Sequence, residues 1–306
     1  MDVKMPKELD GITIKEWLTK NGFSRGLVTR LKRFPDGICV NGEHATVRRI
    51  LREGDVLSVK CEDCYEDENE YLVPTPMNLD IIYEDGDMIA VNKPWDMATH
   101  PSIGHFDDTL ANGLAHYFSS RGIPFVFRAV NRLDRDTSGV VLVAKSRMAA
   151  AKLSRLMREG KIKKTYIALL GGELTPRDGC ISAPIRRKDA SVILREVCGE
   201  DAEGAKTAVT EYRTLRVGKN ASVVSASPIT GRTHQLRVHF AHMGAPIIGD
   251  GFYGSAERCP TEYDRLINRQ ALHAYSLTVE LDDGSVTVTA PIPEDMEKVR
   301  RYIEGV

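Results

Sequence analysis

The chain has 306 residues, 42% hydrophobic and 28% charged, enough for one large core with a smaller appendage and too balanced for a disordered polymer. No apolar run approaches the roughly 20 residues of a membrane span, and MDVKMPKELD lacks the apolar stretch of a secretory leader, so a cytoplasmic protein is expected. A formal net charge of −1 excludes a uniformly basic nucleic-acid coat, though a global sum can conceal opposed segments.

Here it does conceal them. From Gly11 to Lys60 ten bases face five acids, whereas the stretch that follows, CEDCYEDENEY, holds six acids and no base. In the basic part, ITIKEWL and FSRGLVTRLKRF place apolar residues at helical spacing, with Ser24 as an N-cap, and CVNGEH offers an Asn-Gly turn between short strands. Two small helices leading into a hairpin are expected. This order of elements resembles the alpha-L RNA-binding module first seen in a small-subunit ribosomal protein. The resemblance implies that Arg25, Arg30, Lys32 and Arg33 follow RNA phosphates by charge and shape, and the bland alternative is a solvated basic face.

The acidic stretch and the VPTPMN after it show neither helical nor strand periodicity and read as a linker. The expected division is an RNA-binding domain at 1–60, a linker at 61–78 and a second domain at 79–306. Six cysteines are too sparse for a disulfide framework. Cys61 and Cys64 form one CxxC without a second pair at zinc-finger spacing, so no metal site is expected there.

Downstream, LDIIYED and MIAVNKP read as strands, TLANGLAHYF as an amphipathic helix, GVVLVAK as a buried strand and MAAAKLSRLMREG as a second helix. KTYIALLGG, VVSASPI, YSLTVELDD and SVTVTAPI add strands, the last two joined through a Gly-containing turn. Strands outnumber helices, so an α+β domain with a mixed, mainly antiparallel sheet is expected. The glycines of IIGDGFYG match neither GxxxxGK[ST] nor GxGxxG and give no nucleotide-binding signal.

The densest polar cluster is NRLDRDTSG at Asn131–Gly139, between the apolar segments FVFRAV and GVVLVAK. A carboxylate in such a place costs several kcal/mol unless it meets a cation or opens to solvent. Asp134 and Asp136 are therefore either members of a salt-bridged turn with Arg132 and Arg135 or residues of a cleft. A hydrolytic acid and base pair is a third reading, disfavoured because residues two apart in a strand point to opposite faces.

NRLDRDTSG followed by an apolar strand ending in AKS resembles the catalytic loop of RluA-type pseudouridine synthases. Three further blocks stand in the order of that family: KPWDMATHPSIGHFDDTLANGL, KKTYIAL and PITGRTHQLRVHFAHMGAPIIGDGFYG. Asn131 departs from the pattern, standing where many members have His, and altered loop contacts are expected there. The resemblance implies that Asp134 attacks a target uridine, leading to cleavage of the N1 glycosidic bond, rotation of uracil and rejoining through C5. It also implies that Tyr166 stacks on uracil and assists proton movement, although packing alone is an ordinary role for a strand tyrosine.

A nucleotide so attacked must leave its stack, and Arg132 is the candidate to hold the flipped geometry or a phosphate. Leu236 and Arg237 lie in the segment that supplies a basic partner to the aspartate, an ion pair that would keep it charged and aimed. Arg232 is the competing partner, with RNA phosphate as its other use. His100 and His105 either border the cleft or are structural. His234, His239 and His242 are expected to pack as polar rings, and Asp250 and Tyr253 match the family block. No cofactor and no metal are expected, since the isomerisation consumes neither redox equivalents nor phosphate energy. The expected partner is RNA, ribosomal large-subunit RNA first and tRNA as the alternative, bound by a monomer with no membrane association. The rival reading is a non-catalytic RNA-binding or ribosome-assembly factor.

Overall fold

A computed structural model describes residues 2–21, 23, 28–29, 31–32, 34–59, 72–102, 104–188, 191, 193–218, 220–254, 262–263 and 265–305. Of the expected second basic helix, Val28, Thr29 and Leu31 are described and helical, while Ser24, Arg25, Arg30, Arg33, the CxxC pair and the acidic run fall outside the described residues. Lys32 is described, exposed in a turn.

The first part of the chain builds β1 (Asp2–Lys4), α1 (Ile14–Lys20), β2 (Ile38–Val40), β3 (Glu43–His44) and β4 (Val56–Val59), with sheet order β1-β4-β2-β3. Thr13 and Glu16 cap α1 reciprocally, each side chain accepting from the other's backbone N–H. Asn41 and Gly42 both take positive φ, 54° and 84°, as a two-residue hairpin with strand-compatible twist requires. Asn41 also accepts from the Val56 N–H and donates to Asp55, so the residue that makes the turn ties it to β4. Ile14, Trp17, Leu18, Ile38, Val40, Leu57 and Val59 pack as a separate apolar cluster, which Met148 touches from further along the chain.

The remainder builds β5 (Asp80–Glu84), β6 (Met88–Lys93), α2 (Leu110–Ser119), β7 (Arg128–Ala129), β8 (Ser138–Ala144), α3 (Arg147–Arg158), β9 (Ile162–Leu170) and β10 (Asp178–Ser182). There follow β11 (Ile185–Arg187), β12 (Arg195–Val197), β13 (Val209–Gly218), β14 (Ala221–Pro228), α4 (Gln235–His242), β15 (Leu272–Leu281), β16 (Gly284–Thr289) and α5 (Glu294–Glu304). Among the described residues ten strands form one sheet in the order β10-β13-β14-β9-β15-β8-β6-β5, with β16 beside β15 and β7 beside β8. Its pairs are antiparallel except β15 with β8, so the fold is α+β with a mixed, mainly antiparallel sheet. The strands and helices expected downstream of the linker all form; β7, β10, β11, β12, β13, α4 and α5 are additional.

β8 is buried along its whole length because it divides two cores. Val141 and Val143 face the cluster that includes Leu110, Leu114 and Phe118 of α2. Val140, Leu142 and Ala144 face the one that includes Ala149, Leu153 and Leu156 of α3. A strand apolar on both faces reads as a continuous apolar run, which is what GVVLVAK is. Where β8 begins, Gly139 has φ 113°, and a Cβ there would lie 2.2 Å from the Ala274 carbonyl oxygen of β15. Only glycine admits that approach. It fixes the start of β8, and hence the exit of the polar loop before it.

Candidate active site

Residues 130–137 form the loop between β7 and β8, and buried side chains hold it from several elements. Asn131 donates to the Val140 carbonyl and accepts from the Leu142 N–H, at 3.0 and 2.8 Å, adding rungs beside β8. Thr99 Oγ1 donates to the Leu133 carbonyl and accepts from its N–H. The fully buried Lys93 donates to the carbonyls of Pro94, Met97 and Arg135 at 2.8, 2.7 and 3.0 Å. Burial brings its pKa down to about 7 against the opposing pull of Asp134 and Asp136. Arg269 donates to the Asp136 carbonyl at 3.1 Å while its other edge holds Asp295 of α5 at 2.7 and 2.9 Å. With its backbone so engaged, the loop presents Asp134 in a fixed position.

The side chain of Asp134 is 26% exposed and meets Arg237 Nη1 at 3.1 Å. Arg237 is itself held by the fully buried Asp250 carboxylate, through Nε at 2.7 Å and Nη2 at 2.8 Å. Asp250 also accepts from the N–H groups of Phe252 and Tyr253. Burial opposes the Arg237 charge, but Asp250 and Asp134 outweigh it and raise the guanidinium pKa above its ordinary range. His234 Nε2 lies 3.7 Å from Asp134, and Nδ1 lies 2.8 Å from the Tyr253 hydroxyl, which accepts from the Arg195 N–H. Donation of the Tyr253 hydroxyl proton to Nδ1 would leave the ring hydrogen on Nε2, which faces Asp134. Burial keeps the His234 pKa below its ordinary value, in keeping with the neutral ring.

Asp134 opens into a cavity of about 890 Å³ bounded by the loop, β9, the end of β14 and α4. Tyr166 lines it from β9, buried, with no hydrogen bond to its hydroxyl among the described residues. Burial, reinforced by the Asp134 charge, raises the Tyr166 pKa, so the phenol keeps its proton. Leu236 forms an apolar part of the wall, and His100, Arg132 and Arg232 also border the cavity. Arg132 reaches Thr233 Oγ1 at 3.2 Å, and Arg232 donates to the Thr207 carbonyl, so Arg237 and not Arg232 is the partner of Asp134. Asp136 stays outside the cavity. The expectation that strand alternation separates it from Asp134 is corrected: both residues lie in the loop, where the turn closed by the Thr137 N–H on the Asp134 carbonyl sends them apart.

Some of the machinery had no signal of its own. His234, expected as a packing ring, stands beside Asp134 because it takes a left-handed backbone, φ 58°, ahead of α4. Lys93 and Arg269 reach the loop from positions 42 and 133 residues away from their bonded partners. His239 does pack as a polar ring, bonded to Thr210 and the Ala183 carbonyl. Among the described residues no three His, Cys, Asp or Glu side chains gather as a metal site would require, and no helix is long and apolar enough to cross a membrane.

A mixed sheet with a braced carboxylate loop at the mouth of a cavity of about 890 Å³ has the make-up of an enzyme site, and the comparisons make it specific. The RNA pseudouridylate synthase model matches residues 87–242, and the chain belongs to that family. The activity is an isomerisation of uridine in RNA. An uncharacterized RNA pseudouridine synthase of Bacillus subtilis, YjbO, is 37% identical over 94% of this chain and 98% of its own. The ribosomal large subunit pseudouridine synthase D of Vibrio cholerae is 36% identical over 85% and 81%. Among solved structures, human RNA pseudouridylate synthase domain containing 1 aligns over 75% of this chain and 96% of its own, at 29% identity and a TM-score of 0.58.

Proposed function

We propose that this pseudouridine synthase acts on structured large-subunit ribosomal RNA, with Asp134 as the nucleophile. The observation that carries the assignment is a carboxylate held at 3.1 Å by Arg237 and open to a cavity of about 890 Å³ that also contains a protonated Tyr166. A covalent adduct with Asp134 divides the exchange of the N1 bond for the C5 bond into two easier steps. Tyr166 stacks on the detached uracil and assists movement of the C5 proton. Arg237 aims the carboxylate, and Leu236 supplies the apolar floor. Arg132 holds the extruded geometry, with Arg232 and His100 at the rim.

The choice of RNA is supported by the relative from Vibrio cholerae, whose name specifies the ribosomal large subunit. The basic part at 1–60 is assigned to RNA binding, the stretch 61–78 to a linker and 79–306 to catalysis. Mapping pseudouridines in total RNA with and without the gene tests both claims. At least one large-subunit site should vanish in the deletion and stay absent when Asp134→Asn is supplied. Full restoration by that variant would overturn the nucleophile, and a lost site in tRNA would overturn the substrate.

A further inference from the structure

The cavity wall carries a positive charge that the isomerisation does not use. Lys164 stands on β9 two residues before Tyr166, so both side chains leave the same face of the strand, and both line the cavity. Lys164 is partly buried and makes no hydrogen bond or ion pair among the described residues. Its ammonium rests against the turn before α4, where a Cβ built on Gly231 would lie 3.9 Å from Nζ. Arg132 touches the same turn through Thr233, and Arg158 borders the same cavity. Asp134 is the one carboxylate among the lining residues, and Arg237 engages it.

A cation crowded away from water without a counter-ion is costly, and the cost disappears when an anion arrives. Burial accordingly lowers the Lys164 pKa from its ordinary value. A uridine drawn out of its stack brings a backbone phosphate on either side, and two strand residues span roughly 7 Å, the scale of a single nucleotide. We propose that Lys164, against the Gly231 turn, binds an RNA backbone phosphate adjoining the extruded uridine. The glycine leaves the approach to the ammonium clear. This subsite rests on the assignment of the cavity to the target uridine.

The test uses single-turnover kinetics on a synthetic RNA stem-loop carrying the uridine mapped above. Lys164→Gln should raise the half-saturating concentration roughly tenfold or more, with Lys164→Arg close to wild type. Gly231→Glu leaves Lys164 in place but offers it a tethered carboxylate, and should produce a similar rise. A methylphosphonate at the 5′ or the 3′ phosphate of the target identifies which is held. At the correct one the wild-type enzyme shows the same rise, and Lys164→Gln adds nothing to it. Unchanged half-saturation in Lys164→Gln, an effect confined to the maximal rate, or independent effects of lysine and phosphate at both positions would each overturn the subsite. An active Asp134→Asn would instead sink the uridine-site assignment, so the two failures are distinguishable.

Discussion

Arg237 uses two nitrogens on Asp250 and leaves the third for Asp134, so the Asp134 carboxylate is aimed by a cation that is itself held on two sides. Tyr166 is the opposite case, a buried side chain whose hydroxyl has no partner among the described residues. A tyrosine present only for packing would lose nothing essential on Tyr166→Phe. We expect unfolding midpoints close to wild type and a maximal single-turnover rate lower by about 10²- to 10⁴-fold, the usual worth of a positioned proton-transfer group. An unchanged rate would return Tyr166 to the core. The loop string and the GRTHQLR segment made Asp134 and Arg237 legible in the sequence, because each stands within a contiguous motif. Lys93, Arg269 and the placement of His234 beside Asp134 were not legible, since they depend on bonds between segments remote in the chain and on one left-handed backbone angle.

Among the elements, β8 carries the sheet and the site together. Gly139→Ala would force a methyl against the Ala274 carbonyl at a φ that suits glycine. We expect a loss of about 2 kcal/mol or more in urea unfolding, with activity falling further than stability because the loop exit moves. The alternating strands were readable from period and composition. α4 was not, because Gln235 through Phe240 are all buried, and a helix enclosed on every side shows no polar face to set its period. α5 did carry a signal, with Met296, Val299 and Ile303 buried at helical spacing. The first sheet has its own apolar cluster. Deleting residues 1–60 should therefore weaken RNA binding in a titration while the circular dichroism of the remainder stays that of a folded protein; unchanged affinity would count against an RNA-binding role.

The whole molecule should be acid-sensitive in a window set by its buried histidines. His273 is fully buried between Ser138 Oγ and the Ala290 carbonyl, and burial lowers its pKa to about 4. Its folded pKa lies below the ordinary 6.5, so between those values the unfolded chain binds the proton and the native state does not. The contribution to stability is complete above pH 6.5 and is lost as the pH falls toward 4. From this ring alone we expect about 2 kcal/mol less stability at pH 5 than at pH 7. His239, also held below its ordinary pKa by burial, adds in the same direction. Urea midpoints at the two pH values measure the slope, and His273→Gln should flatten it; an equal slope in the variant would sink the assignment.

Arg269 joins the Asp136 carbonyl to Asp295, residues separated by more than half of the polypeptide. Asp134 is synthesised well before Asp295, so until α5 docks its loop stands without one of its anchors. Docking of α5 is therefore what completes the Arg269 brace on the loop.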